Sequence, residues 1–178
     1  MKISALKEKN INEMRISISP DSIDLFKRLG FEVMIEEGAG VNSGYPDQKY
    51  LDLGAKIVSR EQCLNADICL CVKIPELQDL KNLKEESTLI GILNPYENKS
   101  FFEILKKRKI SSCCMELIPR ISRAQSMDVL SSQANLAGYR SVIDAAEQFN
   151  KAFPMMMTAA GRVNPAKVMI LGVGVAGL

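Results

Sequence analysis

The chain contains 178 residues, of which 47% are hydrophobic and 25% are charged. These fractions are close to the average of globular proteins, so extended disorder and low-complexity repeats are excluded, and the length suits one domain and a fraction of a second. The formal net charge of +2 argues against nucleic acid as a partner. Histidine is absent, which removes the commonest general acid–base group and the commonest metal ligand, so we expect no metal site.

Five cysteines form an odd set that matches no zinc-binding spacing: Cys63, Cys69, Cys71, Cys113 and Cys114. We expect them to be reduced, as in a cytoplasmic protein. Cys69 and Cys71 alternate within an apolar run, which favours packing as small hydrophobic side chains, with a redox role as the alternative. The longest apolar run, residues 168–178, is shorter than the roughly 18 residues that cross a bilayer, so no membrane span is expected.

Helices and strands are predicted to alternate from the amino terminus onwards. The first helix is predicted to begin after Ser19, because Pro20 suits a first helical turn and Asp21 favours the positive end of the helix dipole. It is predicted to end at Gly30. Apolar and β-branched stretches predict strands at residues 31–37, 55–58, 66–74, 87–93 and 109–117, with a loop at 38–48 and a helix at 97–109.

This alternation predicts crossover connections and therefore an α/β fold, a mainly parallel sheet flanked by helices. Apolar residues at helical spacing predict one long helix over residues 128–150. Its small residues permit close packing against another helix, either in the same subunit or in a second copy of the chain. A connector with two prolines follows at residues 150–166, and its methionines at 155–157 are interpreted as adaptable packing.

The last eleven residues contain a glycine motif. Residues 168–178 read VMILGVGVAGL, a predicted strand followed by Gly172, Gly174 and Gly177 in G-x-G-x-x-G spacing. In dinucleotide-binding folds the first glycine makes the turn, the second admits the pyrophosphate and the third lets helix and strand pack closely. The helix and acidic residue that complete the motif are not present, so we expect a fragment that binds dinucleotide poorly by itself. One alternative is a dimerising or docking remnant without enzyme activity.

Polar side chains crowd the segment before and into the long helix. Residues 119–140 read PRISRAQSMDVLSSQANLAGYR, which brings together Arg120, Arg123, Gln125, Ser126, Asp128, Ser131, Ser132 and Tyr139. One interpretation is an ordinary helix start, with Ser126 as the cap and Asp128 favouring the helix dipole. The other is a ligand-binding loop. Composition alone leaves both open.

Several motifs in the same order resemble one family. They are KEKNINEMRISISP, EEGAGVNSGYPD, RISRAQS, ANLAGYR, TAAGRVNPAKV and GVGVAGL. They resemble the NAD-binding subunit of the proton-translocating nicotinamide nucleotide transhydrogenases, and the resemblance extends over essentially the whole chain. The resemblance implies a Rossmann- or flavodoxin-like domain at residues 1–127, a connecting helix and linker at 128–165, and at 166–178 the first strand of a second, truncated Rossmann domain.

The same resemblance implies the roles of individual residues. Arg120 and Gln125 would fix the face of the nicotinamide ring, while Asp128 and Ser131 would fix its carboxamide. Tyr139 would lie close by. The glycines of the terminal motif, Gly172, Gly174 and Gly177, would serve the pyrophosphate. Arg120, Gln125 and Asp128 are the residues expected to influence hydride transfer itself.

The resemblance also implies partners. Hydride would pass from NADH on this component to NADP⁺ on a separate component, and a membrane-spanning component would couple the transfer to proton translocation. The NAD(H)-binding component would be a homodimer, cytoplasmic and peripheral at the cytoplasmic face of the inner membrane through its partner subunits.

Alanine dehydrogenase is the related family with different chemistry. Arg15 and Lys73 fall where that family holds its substrate, but its acid–base histidine corresponds to Asn94 here, and no other histidine exists. Oxidative deamination moves protons during the reaction, whereas hydride transfer between two nicotinamides needs only their alignment. The sequence therefore favours transhydrogenase over an alanine-dehydrogenase-like oxidoreductase, and Arg15 and Lys73 are interpreted as structural charges.

Overall fold

The structure, a computed structural model, describes residues 1–178. By their internal contacts these residues form two compact units, Met1–Ile118 and Pro119–Leu178. The division of the chain after residues 127 and 165 stays a prediction. The first compact unit ends before the segment that leads into the long helix, so that segment belongs with the helix in the second unit.

The first unit is built on a six-stranded sheet. Its strands are β1 (Lys2–Ala5), β2 (Glu32–Glu36), β3 (Lys56–Val58), β4 (Ile68–Lys73), β5 (Thr88–Ile92) and β6 (Ser111–Cys114). They pair in the order β3-β2-β1-β4-β5-β6, and every pair is parallel. The predicted parallel sheet is confirmed, and its order is that of a doubly wound Rossmann fold. The order reverses between β1 and β4, whose carboxyl ends therefore mark the switch point.

Short helices connect these strands: α1 (Ile23–Arg28), α2 (Asp47–Asp52), α3 (Arg60–Leu64), α4 (Leu77–Asn82) and α5 (Lys99–Lys107). The predicted first helix begins as a 3-10 turn at Pro20–Ser22, continues as α1 and is followed by Gly30, whose φ of 83° is in the left-handed region that favours glycine. The predicted loop at 38–48 also contains a 3-10 turn and the start of α2. The predicted helix at 97–109 contains α5.

Two of these helices, α3 and α4, were not expected from the sequence. Arg60, the first residue of α3, ties several segments together. Its guanidinium donates to Glu36 at the end of β2 at 2.8 Å, to the Lys7 carbonyl after β1 at 3.0 Å, and to both carboxylate oxygens of Asp79 on α4 at 2.9 and 2.6 Å. The Arg60 side chain is only 21% exposed and that of Asp79 only 5%, so this ion cluster is part of the interior of the first unit.

Alternate residues of β4 pack into two different hydrophobic clusters. Cys69 and Cys71 belong to one cluster, while Ile68 and Leu70 pack against the other, so β4 is covered on both faces. Burial raises the pKa of the Cys69 thiol to about 12 and that of Cys63 also to about 12. All five cysteines are free, and Cys69 and Cys71 pack as small hydrophobic side chains, as predicted.

The second unit contains the long helix α6 (Val129–Gln148), which lies within the predicted range of 128–150. A hairpin of β7 (Met156–Thr158) and β8 (Gly161–Val163) occupies the predicted connector. The methionines at 155–157 are 46% to 72% exposed. Their predicted packing is therefore not found within this chain, because the hairpin leaves its side chains uncovered.

Residues 168–171, predicted as the first strand of a second Rossmann domain, pair with no strand of this chain. A strand requires a hydrogen-bonded neighbour, and the hairpin of this unit pairs only with itself. None of the helices combines the length and the apolar character needed to cross a bilayer.

Candidate functional site

The second unit holds every predicted cofactor residue: Arg120, Gln125, Asp128, Ser131, Tyr139, Gly172, Gly174 and Gly177. The loop before α6 folds as a 3-10 turn at Ser122–Met127, held by the buried side chain of Ala124, which is 4% exposed. The turn places Gln125 at the surface immediately before α6. The side chains of Arg120, Gln125 and Tyr139 are all exposed, and their polar atoms are therefore accessible to a ligand.

Asp128 is the residue that caps α6. Its carboxylate accepts a hydrogen bond from the Ser131 backbone N–H at 2.9 Å and from the Ser131 hydroxyl at 2.6 Å. Ser126 makes no such cap. The prediction that Ser126 caps the helix is therefore wrong, and Asp128 is the capping residue. The Ser131 hydroxyl, the Ser131 N–H and the charge of Arg120 lower the pKa of Asp128. Asp128 is therefore a fixed anion at the start of α6.

Residues 172–178 form the glycine-rich turn. Its three glycines differ in what surrounds them. Gly172 has a φ of 114°, which disfavours any residue with a side chain. A Cβ on Gly177 would lie 2.2 Å from the Gly172 carbonyl oxygen, whereas a Cβ on Gly174 would meet nothing within 4 Å. Gly172 thus allows the turn, Gly177 allows close packing, and Gly174 exposes open backbone. A ligand could therefore approach the backbone at Gly174 without meeting a side chain.

The glycine-rich turn lies against α6. A Cβ on Gly138 of α6 would be 2.3 Å from the Ala176 carbonyl oxygen. Beside this contact is a cavity of about 600 Å³, lined on the helix by residues that include Asn135, Tyr139 and Val142 and on the other side by residues 168–171 and 175–178. Gly138 is one of the small residues predicted to let the long helix pack closely, but the neighbour that it meets is the backbone of Ala176 and not another helix.

The chain matches two consecutive domain families. Residues 4–137 match the family described as alanine dehydrogenase/PNT, N-terminal domain, and residues 141–178 match alanine dehydrogenase/PNT, C-terminal domain. The chain belongs to the alanine dehydrogenase/PNT family. The predicted family resemblance is thereby confirmed.

Individual relatives favour the transhydrogenase branch of this family. A polypeptide of the NAD(P) transhydrogenase subunit alpha of Rhodospirillum rubrum is 49% identical over the whole of this chain, which covers 48% of that polypeptide. The crystal structure of transhydrogenase from Sinorhizobium meliloti superposes with a TM-score of 0.96 at 45% identity, over 99% of this chain and 53% of that one. An L-alanine dehydrogenase structure superposes with a TM-score of 0.84 at 26% identity, over 99% and 50%. The chain thus spans about half the length of these relatives.

Arg15 and Lys73, the positions predicted to correspond to the substrate-binding cations of an alanine dehydrogenase, form an ion cluster with Glu13. Arg15 donates to both carboxylate oxygens of Glu13, at 2.7 and 2.6 Å, and the Lys73 ammonium lies 3.8 Å from the same carboxylate. The Glu13 side chain is only 5% exposed. The hydrogen bond from Arg15 lowers the pKa of Glu13, so the carboxylate stays ionised, and the two cations share its single negative charge.

Glu8 is a second carboxylate near these charges, and it was not among the residues singled out from the sequence. It lies at the switch point, after β1, and accepts hydrogen bonds from the Val72 N–H at 2.6 Å and the Lys73 N–H at 3.2 Å. Burial raises the pKa of Glu8, and these two N–H groups oppose the shift. A carboxylate just after the first strand, followed closely by Arg15, was the signal available in the sequence.

Asn94, the position predicted to correspond to the acid–base histidine of alanine dehydrogenases, follows β5. Its backbone is in the left-handed region, with a φ of 46°, and its N–H donates to the Glu116 carboxylate. Asn98 donates through its side-chain amide to the Asn94 carbonyl at 3.1 Å. The Asn94 side chain is a neutral amide and cannot exchange a proton as imidazole does.

Proposed function

We propose that this chain belongs to the NAD(H)-binding component of a proton-translocating NAD(P) transhydrogenase, which transfers hydride from NADH to NADP⁺. The observation that carries the proposal is the arrangement of the second unit. There the Asp128–Ser131 pair lies at the start of α6, and the glycine-rich turn packs against the same helix at Gly138 with open space beside Gly174. This arrangement supports a dinucleotide site with the pyrophosphate at the turn.

Each residue has a role in holding the cofactor. Arg120 and Gln125 orient one face of the nicotinamide ring, and Asp128 and Ser131 hold its carboxamide, with Tyr139 beside them. The backbone around Gly174 approaches the pyrophosphate, because no side chain stands in the way. The bound nicotinamide nucleotide supplies the hydride, and the protein supplies position and electrostatics.

The asparagine at position 94, where the resemblance to alanine dehydrogenase implies a histidine, favours hydride transfer between two nicotinamides over oxidative deamination. Direct transfer requires the two rings to be held at roughly 3–3.5 Å, and no side chain has to gain or lose a proton. An amino-acid dehydrogenase does need such a group. Asn94 cannot provide it, and Glu13 already engages Arg15 and Lys73, the two cations that would hold the carboxylate and carbonyl of an amino-acid dehydrogenase's substrate.

NADP(H) would be bound by a partner component, and a membrane-spanning component would couple the reaction to proton movement. The NAD(H)-binding component would be a homodimer at the cytoplasmic face of the inner membrane, attached through these partners. The exposed apolar residues of α6 and the hairpin, among them Leu136, Val142 and Met157, provide a surface that such assembly would cover.

The complete gene product, combined with its partner subunits, tests the proposal. Reduction of the thionicotinamide analogue of NADP⁺ by NADH is followed at the wavelength where only the reduced analogue absorbs. We expect turnover that depends on both nucleotides. NADH oxidation that instead requires pyruvate and ammonia would assign an alanine dehydrogenase, and binding of partners without either activity would assign a docking module.

A further inference from the structure

Gly138 is an unusual residue for the middle of a long helix. Glycine destabilises a helix interior relative to alanine because it loses more backbone freedom on folding. Gly138 lies within α6, between Ala137 and Tyr139, both of which are exposed. Its occurrence there is explained by the Ala176 carbonyl oxygen, which would lie 2.3 Å from a Cβ on this residue.

The neighbour of Gly138 cannot move aside independently. The carbonyl carbon and Cα of Ala176 would also lie 3.1 and 3.2 Å from the added Cβ, so the obstacle is backbone and not a flexible side chain. Ala176 is enclosed in a helical turn in which the N–H groups of Gly177 and Leu178 both donate to the Gly174 carbonyl at 3.0 Å. Displacing Ala176 therefore displaces the whole glycine-rich turn.

Gly138 also shares a face of α6 with Ser131. The two residues are about two helical turns apart, roughly 10 Å along the axis, and therefore project from the same side of the helix. Ser131 is fixed by its two hydrogen bonds to Asp128. One helix thus carries the Asp128–Ser131 pair at its start and the contact with the glycine-rich turn further along the same face.

We propose that Gly138 is a positioning residue of the dinucleotide site, an inference that rests on the proposed function. By lacking a side chain it lets the glycine-rich turn lie directly on α6, which fixes the separation between the groups that hold the nicotinamide and the backbone that holds the pyrophosphate. A larger residue moves the turn away from α6, and one dinucleotide can then no longer engage both regions at once.

The test uses Gly138→Ala in the complete gene product and compares NADH with ADP-ribose, which lacks the nicotinamide. We expect the Kd for NADH to rise about tenfold or more, because both regions must be engaged, while the Kd for ADP-ribose changes by less than about threefold. Gly138→Ser should have a larger effect than Gly138→Ala. An unchanged Kd for NADH, or equal losses for the two ligands, would overturn the proposal.

Ala137→Gly is the matched control, since it changes helix propensity at the neighbouring exposed position. It should lower the melting temperature through helix propensity alone and leave the NADH Kd unchanged, so a raised Kd in Gly138→Ala cannot come from a change in helix propensity. If the wild-type protein does not bind NADH, the proposed function fails. If it does bind and Gly138→Ala binds equally well, only the role of Gly138 fails.

Hydrogen exchange of the wild-type protein tests the same proposal without relying on the folding of a variant. NADH should slow the exchange of the Gly177 and Leu178 amides and of α6 amides around Gly138 together. Protection confined to the glycine-rich turn or to α6 alone would contradict the positioning role.

Discussion

The Asp128 carboxylate accepts two hydrogen bonds from a single residue, Ser131, at 2.9 Å from its backbone N–H and at 2.6 Å from its hydroxyl. The backbone hydrogen bond is an ordinary helix cap. The second removes the rotational freedom of the Ser131 hydroxyl and fixes which lone pairs of Asp128 remain free. The pair is thus a structural cap, and in the proposed function it is also the preorganised group that would hydrogen-bond the nicotinamide carboxamide.

Asp128→Asn should separate these two roles. Asparagine caps helices about as well as aspartate, so the melting temperature should change little, whereas loss of the charge should slow hydride transfer much more than it weakens NADH binding. Stopped-flow transfer rates and NADH fluorescence titrations of the complete gene product with its partners measure the two effects. Gln125→Ala should behave in the same way, and a defect confined to binding would refute both assignments.

Ser131→Ala should raise the pKa of Asp128 towards its ordinary value, because the Ser131 hydroxyl is the main cause of its lowered pKa. A lowered folded-state pKa means that the cap contributes fully above the unfolded value of 3.8 and is lost as the pH falls through the lower folded value. NMR titration of the Asp128 carboxyl carbon in wild type and variant checks the direction. An unchanged pKa in Ser131→Ala would contradict the assigned cause.

Glu13→Gln should destabilise the first unit, because it leaves Arg15 and Lys73 without the carboxylate that they share. We expect a loss of about 1–3 kcal/mol, less than for a fully buried pair, since the Arg15 side chain is 40% exposed and solvent screens some of its charge. The pKa of Glu13 is lowered, so its contribution is complete above 4.5 and is lost as the pH falls through the folded value. Urea denaturation at neutral and acidic pH measures this difference.

The same variant distinguishes a structural role of Arg15 and Lys73 from a substrate-binding role. If the cations are structural, Glu13→Gln should leave the rate of hydride transfer per folded molecule unchanged. Glu32→Gln, which removes an exposed ion pair with Lys56, is the matched control for loss of a carboxylate and should barely affect stability.

Substitutions in the glycine-rich turn should have different effects on folding and binding. Gly174→Ala introduces a Cβ into open space and should leave the melting temperature unchanged while weakening NADH binding, because the methyl group stands where the pyrophosphate approaches. Gly177→Ala forces a Cβ against the Gly172 carbonyl oxygen and should lower the melting temperature as well as weaken NADH binding. Thermal denaturation and fluorescence titration, run in parallel, check the contrast. An equal decrease in melting temperature in the two variants would contradict these assignments.

Alkylation should distinguish the cysteines by their burial. Cys113 is exposed, whereas Cys63, Cys69 and Cys71 are buried and have raised pKa values because burial disfavours their thiolates. Under native conditions at neutral pH, iodoacetamide should therefore label Cys113 first and leave the three buried thiols unmodified. Peptide mass spectrometry identifies the labelled sites, with urea-unfolded protein as the control in which all five cysteines react.

The sequence predicted the long apolar strands and the longest helix, because their patterns extend over many residues. β4 and α6 are examples. The helices α3 and α4 have only 5 and 6 residues, too few for a helical apolar period to be recognised. The hairpin of β7 and β8 has strands of 3 residues, all exposed, and therefore shows no alternation of apolar and polar residues.

The candidate site was predictable only where neighbouring residues form it. Asp128 and Ser131 are three positions apart, and the glycines of the glycine-rich turn have the recognisable G-x-G-x-x-G spacing. The contact between Gly138 and Ala176 depends on the path of the backbone through the second unit, and the pairing of Lys73 with Glu13 depends on β1 and β4 being neighbours. Neither is encoded in a local pattern.

The Arg60 guanidinium, bonded to Glu36, Asp79 and the Lys7 carbonyl, has a kinetic consequence. These partners belong to segments far apart in the chain, so the full set of bonds can form only after β1, β2 and α4 have assembled. Interactions made late on the folding pathway mainly govern how fast the native state is lost. Arg60→Met should therefore accelerate unfolding in stopped-flow denaturant jumps while leaving the refolding rate nearly unchanged, which would make this single side chain a determinant of the protein's lifetime.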